Sequence, residues 1–376
     1  LQKLPHIPLV LKKRKPHICP DTVQAILTGA PDRVNSAPVP NVQPCQASVR
    51  PTTVSAILAA AQDAHFSAPT TYTEDVPVMP IDCPSLAAAS TLWCLNEKQH
   101  LAFVLMGSAI LERTLLRLDP EQQEQRQRQQ QGIDIINKIL TQARERYMKT
   151  ADTPEDYEGS FAQTCANSHN LRMFLGGSGG TGKSRVIRCV TDFARRWNVL
   201  EMVEVTATTG VAATLLNGST YFNSMKLPGM GGCGKLPDEA LITRWQSVGL
   251  LIIDETSFIS RKQLWTIHQR LTTLRPASKT QLFGGVHIVL SGDFFQLTSQ
   301  SKAVFTHPDA LVDDNDKAGG SSSEDGDEDG NAGQKSRKRQ AARLENIKGY
   351  LLWSLGLNCA VELLENYRQR HDPEFA

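Results

Sequence analysis

The chain has 376 residues, with 40 lysines and arginines against 39 aspartates and glutamates and a formal net charge of +1. That balance excludes a global basic footprint for nucleic acid, so any such contact must come from local patches. The length allows two ordinary domains, or one domain with disordered arms. Eight cysteines without a C-x-x-C pair exclude a zinc site of that pattern and a secreted disulfide framework, and fit a reducing intracellular compartment. No apolar run approaches the roughly twenty residues of a membrane helix. No membrane partner is expected, and no signal peptide opens the chain. It begins at Leu1, as expected of a fragment.

Residues 1–90 are rich in Pro, Ala, Ser and Thr without a sustained period, which predicts a low-complexity, disordered arm. Within it, Lys12-Lys13-Arg14-Lys15 reads first as a solvated tail and second as a nuclear signal or DNA contact. Order is expected from near Leu92, in a helical segment over 91–150. Asn96 followed by Gln99 has the form of a capping box, and Leu101, Val104, Leu105, Leu111, Leu115 and Leu118 fall on one helical face. After Pro120, Glu121 to Gln131 reads as an exposed Gln-rich connection. Ile133, Ile136, Ile139, Leu140 and Ala143 then predict a second amphipathic helix.

Residues 151–308 alternate strand and helix signals. Leu171–Leu175, Met202–Val205, Val248–Ile253 and the run around Val286–Leu290 read as strands. Ser184–Trp197, Val211–Leu216, Leu241–Trp245 and the periodic Leu264, Ile267, Leu271 and Leu274 read as helices. The Val248–Ile253 run is continuous, as in a strand buried on both faces. The alternation predicts an α/β domain, a parallel sheet with helices on both faces. Residues 309–345 break the pattern: Asp313–Gly330 is acidic and Gly/Ser-rich and Lys335–Arg343 basic, which predicts a disordered insertion. Asp325, Asp327, Asp329 and Gly330 imitate the start of a calcium loop, but its twelfth position is Ser336 and not glutamate. Regular structure returns at Tyr350–Trp353.

The stretch with the most specific chemistry is Gly177-Ser178-Gly179-Gly180-Thr181-Gly182-Lys183-Ser184. It has the G-x-x-x-x-G-K-[ST] form between a strand and a helix, the context a phosphate loop requires. Glycines let successive backbone N–H groups turn inward around a polyphosphate, and the helix start adds unpaired N–H groups and a positive dipole end. Lys183 is expected to reach the β- and γ-phosphates, and the Ser184 hydroxyl to ligate Mg²⁺.

Other candidates sit where predicted strands end. Asp254 and Glu255 follow a buried strand, where parallel sheets place their ligand sites; one can hold the metal while its neighbour polarises the attacking water. Gln296 follows the next strand and carries an amide able to bond both a γ-phosphate oxygen and the water, although a lone Gln there means little. Thr208, Thr209 and Gly210 offer N–H groups to a nucleic-acid phosphate, and an ordinary N-cap reads equally well. Arg368 fits a surface charge or a phosphate-reading arginine. Phe294 and Phe295 can stack on bases, but a pair beside a sheet end is more often core.

Taken in order, Leu95–Gln99, Gly176–Ser184, Thr206–Ala213, Ile252–Thr256, Gly292–Leu297 and Glu365–Gln369 resemble the motif set of PIF-type DNA helicases, RecD relatives in helicase superfamily one. The resemblance covers about Leu92 to Ala376. It implies a RecA-like fold, ATP hydrolysis with Mg²⁺, and 5′-to-3′ movement on single-stranded DNA, in a nuclear protein expected to be monomeric. By position it makes Gln99 the adenine reader, Lys183 and Ser184 the holders of phosphates and metal, and Asp254 a metal ligand. Glu255 becomes the activator of water, Gln296 the γ-phosphate coupler and Arg368 the arginine finger. Thr209 and Gly210 lie along the DNA. Two departures touch DNA contacts: the family's Pro-Pro is Thr298-Ser299, and its Thr-Leu-His-Ser appears as Thr220-Tyr221-Phe222-Asn223-Ser224. Residues 346–376 are expected to start a second, truncated RecA-like domain.

The leading expectation is a DNA helicase serving repair, recombination or telomere maintenance. The alternatives are a P-loop ATPase that remodels protein without DNA, and a decayed nucleotide-binding fragment of a mobile-element helicase.

Overall fold

Val289 and Ile252 face each other across neighbouring strands at the centre of a six-stranded sheet. The computed structural model describes residues 53–62, 83–118, 123–147, 161, 164–165, 168–227, 236–296, 303–304 and 330–366. Its strands are β1 (Arg172–Gly177), β2 (Val203–Ala207), β3 (Ser219–Thr220), β4 (Leu250–Asp254), β5 (His287–Gly292) and β6 (Cys359–Leu363). They run in the order β3-β2-β4-β5-β1-β6, and every pairing is parallel.

The sheet is buried on both sides because its central strands carry apolar runs, Leu250–Ile253 in β4 and Ile288–Leu290 in β5. All five residues of β4 and all six of β5 are buried. Successive residues alternate between two cores: Leu250 and Ile252 enter one, Leu251 and Ile253 the other. At about 1.5–3 kcal/mol per buried aliphatic side chain, this alternation fixes the register, since a one-residue slip exchanges the two faces.

The first core is covered by α1 (Val54–Gln62), α2 (Leu86–Leu92), α3 (Glu97–Arg117), α4 (Gln123–Tyr147) and α5 (Lys183–Arg196). Helix α5 presents Val186, Ile187, Val190, Phe193 and Ala194 to this core, the i, i+4, i+7 stripe of a half-buried helix. Helix α3 is buried nearly all round, from Gln99 to Leu115, because other helices flank it as well as the sheet. The second core is covered by α8 (Glu239–Ser247), α9 (Arg261–Leu274) and α10 (Gly330–Ser354). Two short helices, α6 (Gly210–Leu215) and α7 (Tyr221–Ser224), lie between β2 and α8. Among the described residues no helix is long and apolar enough to cross a membrane. The α/β layering expected from the alternation, a parallel sheet with helices on both faces, is present.

The structure corrects several boundaries. The arm expected to be disordered over 1–90 contains α1, which buries Ile57, Ala60 and Ala61 in the first core, and α2, whose N-cap Ser85 accepts from Ala88 N–H at 3.1 Å. The Gln-rich connection is instead helical from Gln123. There the Gln129 amide donates to the carbonyl oxygens of Leu115 and Leu118, satisfying the C-terminal end of α3.

Residues 330–345, expected within a disordered insertion, belong to α10. Ala341, Ala342, Leu344, Glu345 and Ile347 are good or adequate helix formers, and the far end of α10 packs on α9. Lys262 pairs with Glu345 at 3.2 Å, and Lys348 lies 4.9 Å over the Trp265 ring. Residues 359–363 do not begin a second domain; they complete the first sheet as β6, with Met173 opposite Cys359 and Gly177 opposite Leu363. The basic cluster at 12–15, Thr298-Ser299 and Arg368 lie outside the described residues.

Candidate nucleotide site at the strand ends

The carboxyl ends of β1, β4 and β5 are neighbours in the sheet, and the loops leaving them form the site. β1 ends at Gly177 and the chain re-enters a helix at Lys183. Gly182 is the N-cap of α5 with φ 92°, and a Cβ there would run into the Gln99 side chain. Glycine is required on both counts. The interior of the loop is tied by Thr181, fully buried, whose hydroxyl donates to Ser178 O at 2.8 Å. Lys183 Nζ donates to Gly177 O at 2.6 Å and Ser178 O at 3.1 Å, which lays its charge along the loop. Gly179 and Gly180 form the turn, and Ser184 stands exposed on the first turn of α5.

Asp254 is the last residue of β4 and is buried; its Oδ1 accepts from the Ser291 hydroxyl at 2.7 Å. Glu255 follows in a left-handed conformation, φ 57° and ψ 41°. A non-glycine residue there carries backbone strain, of the kind that gathers at functional sites. Burial pushes the Glu255 carboxyl above the usual carboxylate range, the neighbouring Asp254 and Asp293 charges add to this, and the Lys183 ammonium opposes it. Lys183, Asp254, Glu255 and Asp293 all lie at or after the ends of the adjoining strands β1, β4 and β5, and the Asp254–Ser291 bond ties the last two ends together.

Asp293 continues from β5 and is 4% exposed. Its Oδ1 accepts from Phe295 N–H at 2.9 Å and its Oδ2 from Gln296 Nε2 at 2.8 Å. The same Nε2 lies 2.9 Å from where a Cβ on Gly179 would stand. Gln296 therefore spans from the end of β5 to the phosphate loop. Ser291 and Asp293 escaped the sequence reading as individual site residues; the signal was an apolar run, Val286–Leu290, broken abruptly by Ser-Gly-Asp.

Gln99 forms the expected capping box of α3: its backbone N–H donates to Asn96 Oδ1 at 2.8 Å and its side-chain oxygen accepts from Asn96 N–H at 3.2 Å. Its Nε2 also donates to Thr181 O at 3.0 Å, so a helix cap is fastened to the phosphate loop. Thr208 turns inward. Its N–H donates to Asp254 O and its hydroxyl to Glu255 O, at 3.2 and 3.1 Å. Thr209 is the N-cap of α6, accepting from Ala212 N–H at 3.3 Å, and Gly210 has open space beside it. The two phenylalanines part company: Phe294 stacks on Phe174 and meets Trp353 edge-on in the second core, whereas Phe295 is 79% exposed.

The donors suit a hard divalent cation. Ser184 and Asp254 carry oxygen donors of the kind such a cation takes. Among the described residues no group of three or more His, Cys, Asp or Glu side chains is placed to hold a metal, so such an ion needs oxygens from a bound polyphosphate, as Mg²⁺ sites commonly do.

Comparison with known proteins agrees with this geometry. Residues 158–304 match the PIF1-like helicase family model. The chain is 28% identical over 215 residues to the ATP-dependent DNA helicase PIF1 of Saccharomyces cerevisiae, covering 55% of this chain and 23% of that protein. It is 37% identical over 134 residues to the ATP-dependent DNA helicase Pif1 of Psychrobacter sp., covering 33% and 19%. Among solved structures, Bacteroides Pif1 bound to ssDNA aligns with a TM-score of 0.37 and 21% identity, covering 60% of this chain and 45% of that one. The chain spans about a fifth of the length of the curated relatives it matches. Residues 158–304 thus resemble a PIF1-like helicase domain in sequence, as the motifs do.

Proposed function

We propose that this chain binds and hydrolyses ATP with Mg²⁺ as a motor domain of a DNA helicase that moves 5′ to 3′ on single-stranded DNA. The observation that carries the reading is the meeting of Lys183, Asp254, Glu255 and Gln296, from separate chain segments, at the adjoining ends of β1, β4 and β5. The loop N–H groups and the Lys183 ammonium take the phosphates. Ser184 and Asp254 hold Mg²⁺, which when bound neutralises charge developing on the transferred phosphoryl group. Glu255, held at a strained turn with a raised proton affinity, accepts the proton of the attacking water. Gln296 bonds the γ-phosphate and reports its loss.

Gln99 braces the loop through its bond to Thr181 O and is the residue proposed to read the adenine. Thr209 and Gly210 face a DNA phosphate, with Thr208 bracing their turn from behind. Arg368 supplies the finger that completes the site, and the work is on nuclear DNA in repair, recombination or telomere maintenance, with the chain a monomer.

The deciding experiment is the steady-state ATPase rate of this chain with and without single-stranded DNA. Stimulation by DNA supports the motor reading. Turnover indifferent to DNA instead favours an ATPase that remodels protein, and nucleotide binding without turnover a nucleotide-binding fragment.

A further inference from the structure

The turn after β5 contains a buried carboxylate to which the proposed reaction gives no task. Asp293 is 4% exposed, and among the described residues no cation pairs with it. A buried carboxylate is costly unless its oxygens are hydrogen-bonded. Both of its oxygens are used, and both by the turn that carries Gln296: Oδ1 takes the N–H of Phe295 and Oδ2 takes the side-chain amide of Gln296. A third bond, from Gln296 N–H to Asp293 O at 3.4 Å, closes the turn. The first bond fixes the backbone. The second fixes where an otherwise exposed amide points, and it points over Gly179 of the phosphate loop.

Immobilising an exposed glutamine with free torsions costs side-chain conformational entropy. A charge-assisted bond to a buried carboxylate offsets that cost. The acceptor is also anionic, as a terminal phosphate is, so the two are rivals for the same amide hydrogens. In the nucleotide site proposed above, a triphosphate has the additional anionic group that would compete for the amide, and a diphosphate lacks it.

We propose that Asp293 is a positioning residue that parks the Gln296 amide across the mouth of the phosphate loop, and that competition between Asp293 and the terminal phosphate for this amide sets how strongly the site prefers nucleoside triphosphate over diphosphate. This rests on the nucleotide site proposed above. Asp293 touches no phosphate itself; it acts through Gln296.

The test is a double-mutant cycle on nucleotide affinity, using a non-hydrolysable ATP analogue and ADP. In Asp293→Asn the remaining oxygen still accepts from Phe295 N–H, so the turn is kept, while the anionic hold on Gln296 is lost. The triphosphate-to-diphosphate preference should rise about fivefold, within the range of coupled neighbours. In the Gln296→Ala background the same substitution should leave the preference unchanged.

A rise of equal size in both backgrounds overturns the proposal, because it would mean simple charge repulsion between Asp293 and the phosphate. No rise in either background overturns it as well, while leaving the nucleotide site intact. If the unaltered chain binds neither nucleotide, the proposed function falls and this inference with it. Asp293→Ser, whose hydroxyl also accepts from Phe295 N–H, serves if the asparagine variant does not fold, and thermal melts establish which variant is folded.

Discussion

The side-chain amide of Gln99 donates to the main-chain oxygen of Thr181 at 3.0 Å, while its oxygen accepts from Asn96 N–H. One residue therefore ends a buried helix and grips the middle of the phosphate loop. Helix α3 is the most enclosed helix of the first core, so the loop inherits its positional stability from packing rather than from its own residues. Gln99→Ala removes a cap and a buried hydrogen bond together. It should cost about 1–3 kcal/mol in chemical denaturation and weaken nucleotide binding. Unchanged nucleotide affinity in a destabilised variant would show that the loop holds its shape alone.

Lys183→Ala removes the ammonium that lies along the loop carbonyls and is proposed to meet the phosphates. Charge-assisted bonds of this kind contribute about 1.5–3 kcal/mol, so nucleotide affinity should fall roughly ten- to hundredfold. Calorimetric titration checks this, and near-normal affinity would sink the phosphate-loop assignment.

Glu255→Gln should retain nucleotide binding and stop hydrolysis, measured by titration and by phosphate release. The pH dependence has a definite sign. The folded state raises the Glu255 pKa, chiefly by burial and then by Asp254, so the group favours folding at low pH and that contribution is lost as pH rises through its folded value. Above that point the folded protein bears the cost of an ionised carboxylate. The glutamine variant should therefore melt higher than the unaltered protein at neutral pH, and the gap should close on acidification. In the unaltered protein, the acid limb of the ATPase profile should lie above the usual carboxylate range.

His268 gives the opposite pH response. Its Nδ1 accepts from Phe283 N–H at 3.0 Å, and burial pushes its pKa down to about 4. The neutral ring is thus favoured in the fold. Its contribution is complete above the unfolded value of about 6.5 and is lost as pH falls from there through about 4, a loss of up to about 3 kcal/mol. His268→Gln keeps an acceptor and removes the titration. Melting temperatures of the two proteins should converge between pH 6.5 and 4, and parallel curves would count against a buried neutral ring.

Much of this site was legible because its chemistry is local. The glycine spacing of 177–182 has few other uses, and β4 and β5 announce themselves by apolar runs, over Val248–Ile253 with Gly249 as the one interruption and over Ile288–Leu290. Asp293 was harder: only the sheet shows that β5 lies between β4 and β1, which turns a strand-end polar residue into the holder of Gln296. Gln129 looked like one more solvated glutamine until α3 supplied carbonyls for it. β6 has a readable alternation, with Cys359, Val361 and Leu363 buried and Ala360 and Glu362 exposed. Alternation says strand but not which sheet, and a partner nearly two hundred residues upstream leaves no local trace.

That distant pairing has a consequence for biosynthesis. The carbonyl of Leu363 lies 2.7 Å from where a Cβ on Gly177 would stand, so β6 is one wall of the phosphate loop. While the chain emerges from the ribosome, β1 and its loop are made first and wait for that wall through the translation of everything from 178 to 358. At about 5–20 residues per second the wait lasts on the order of ten seconds or more. Throughout it, β1 has an open edge able to pair with another nascent chain. A ligand whose binding needs that wall can stabilise the fold only once β6 has paired.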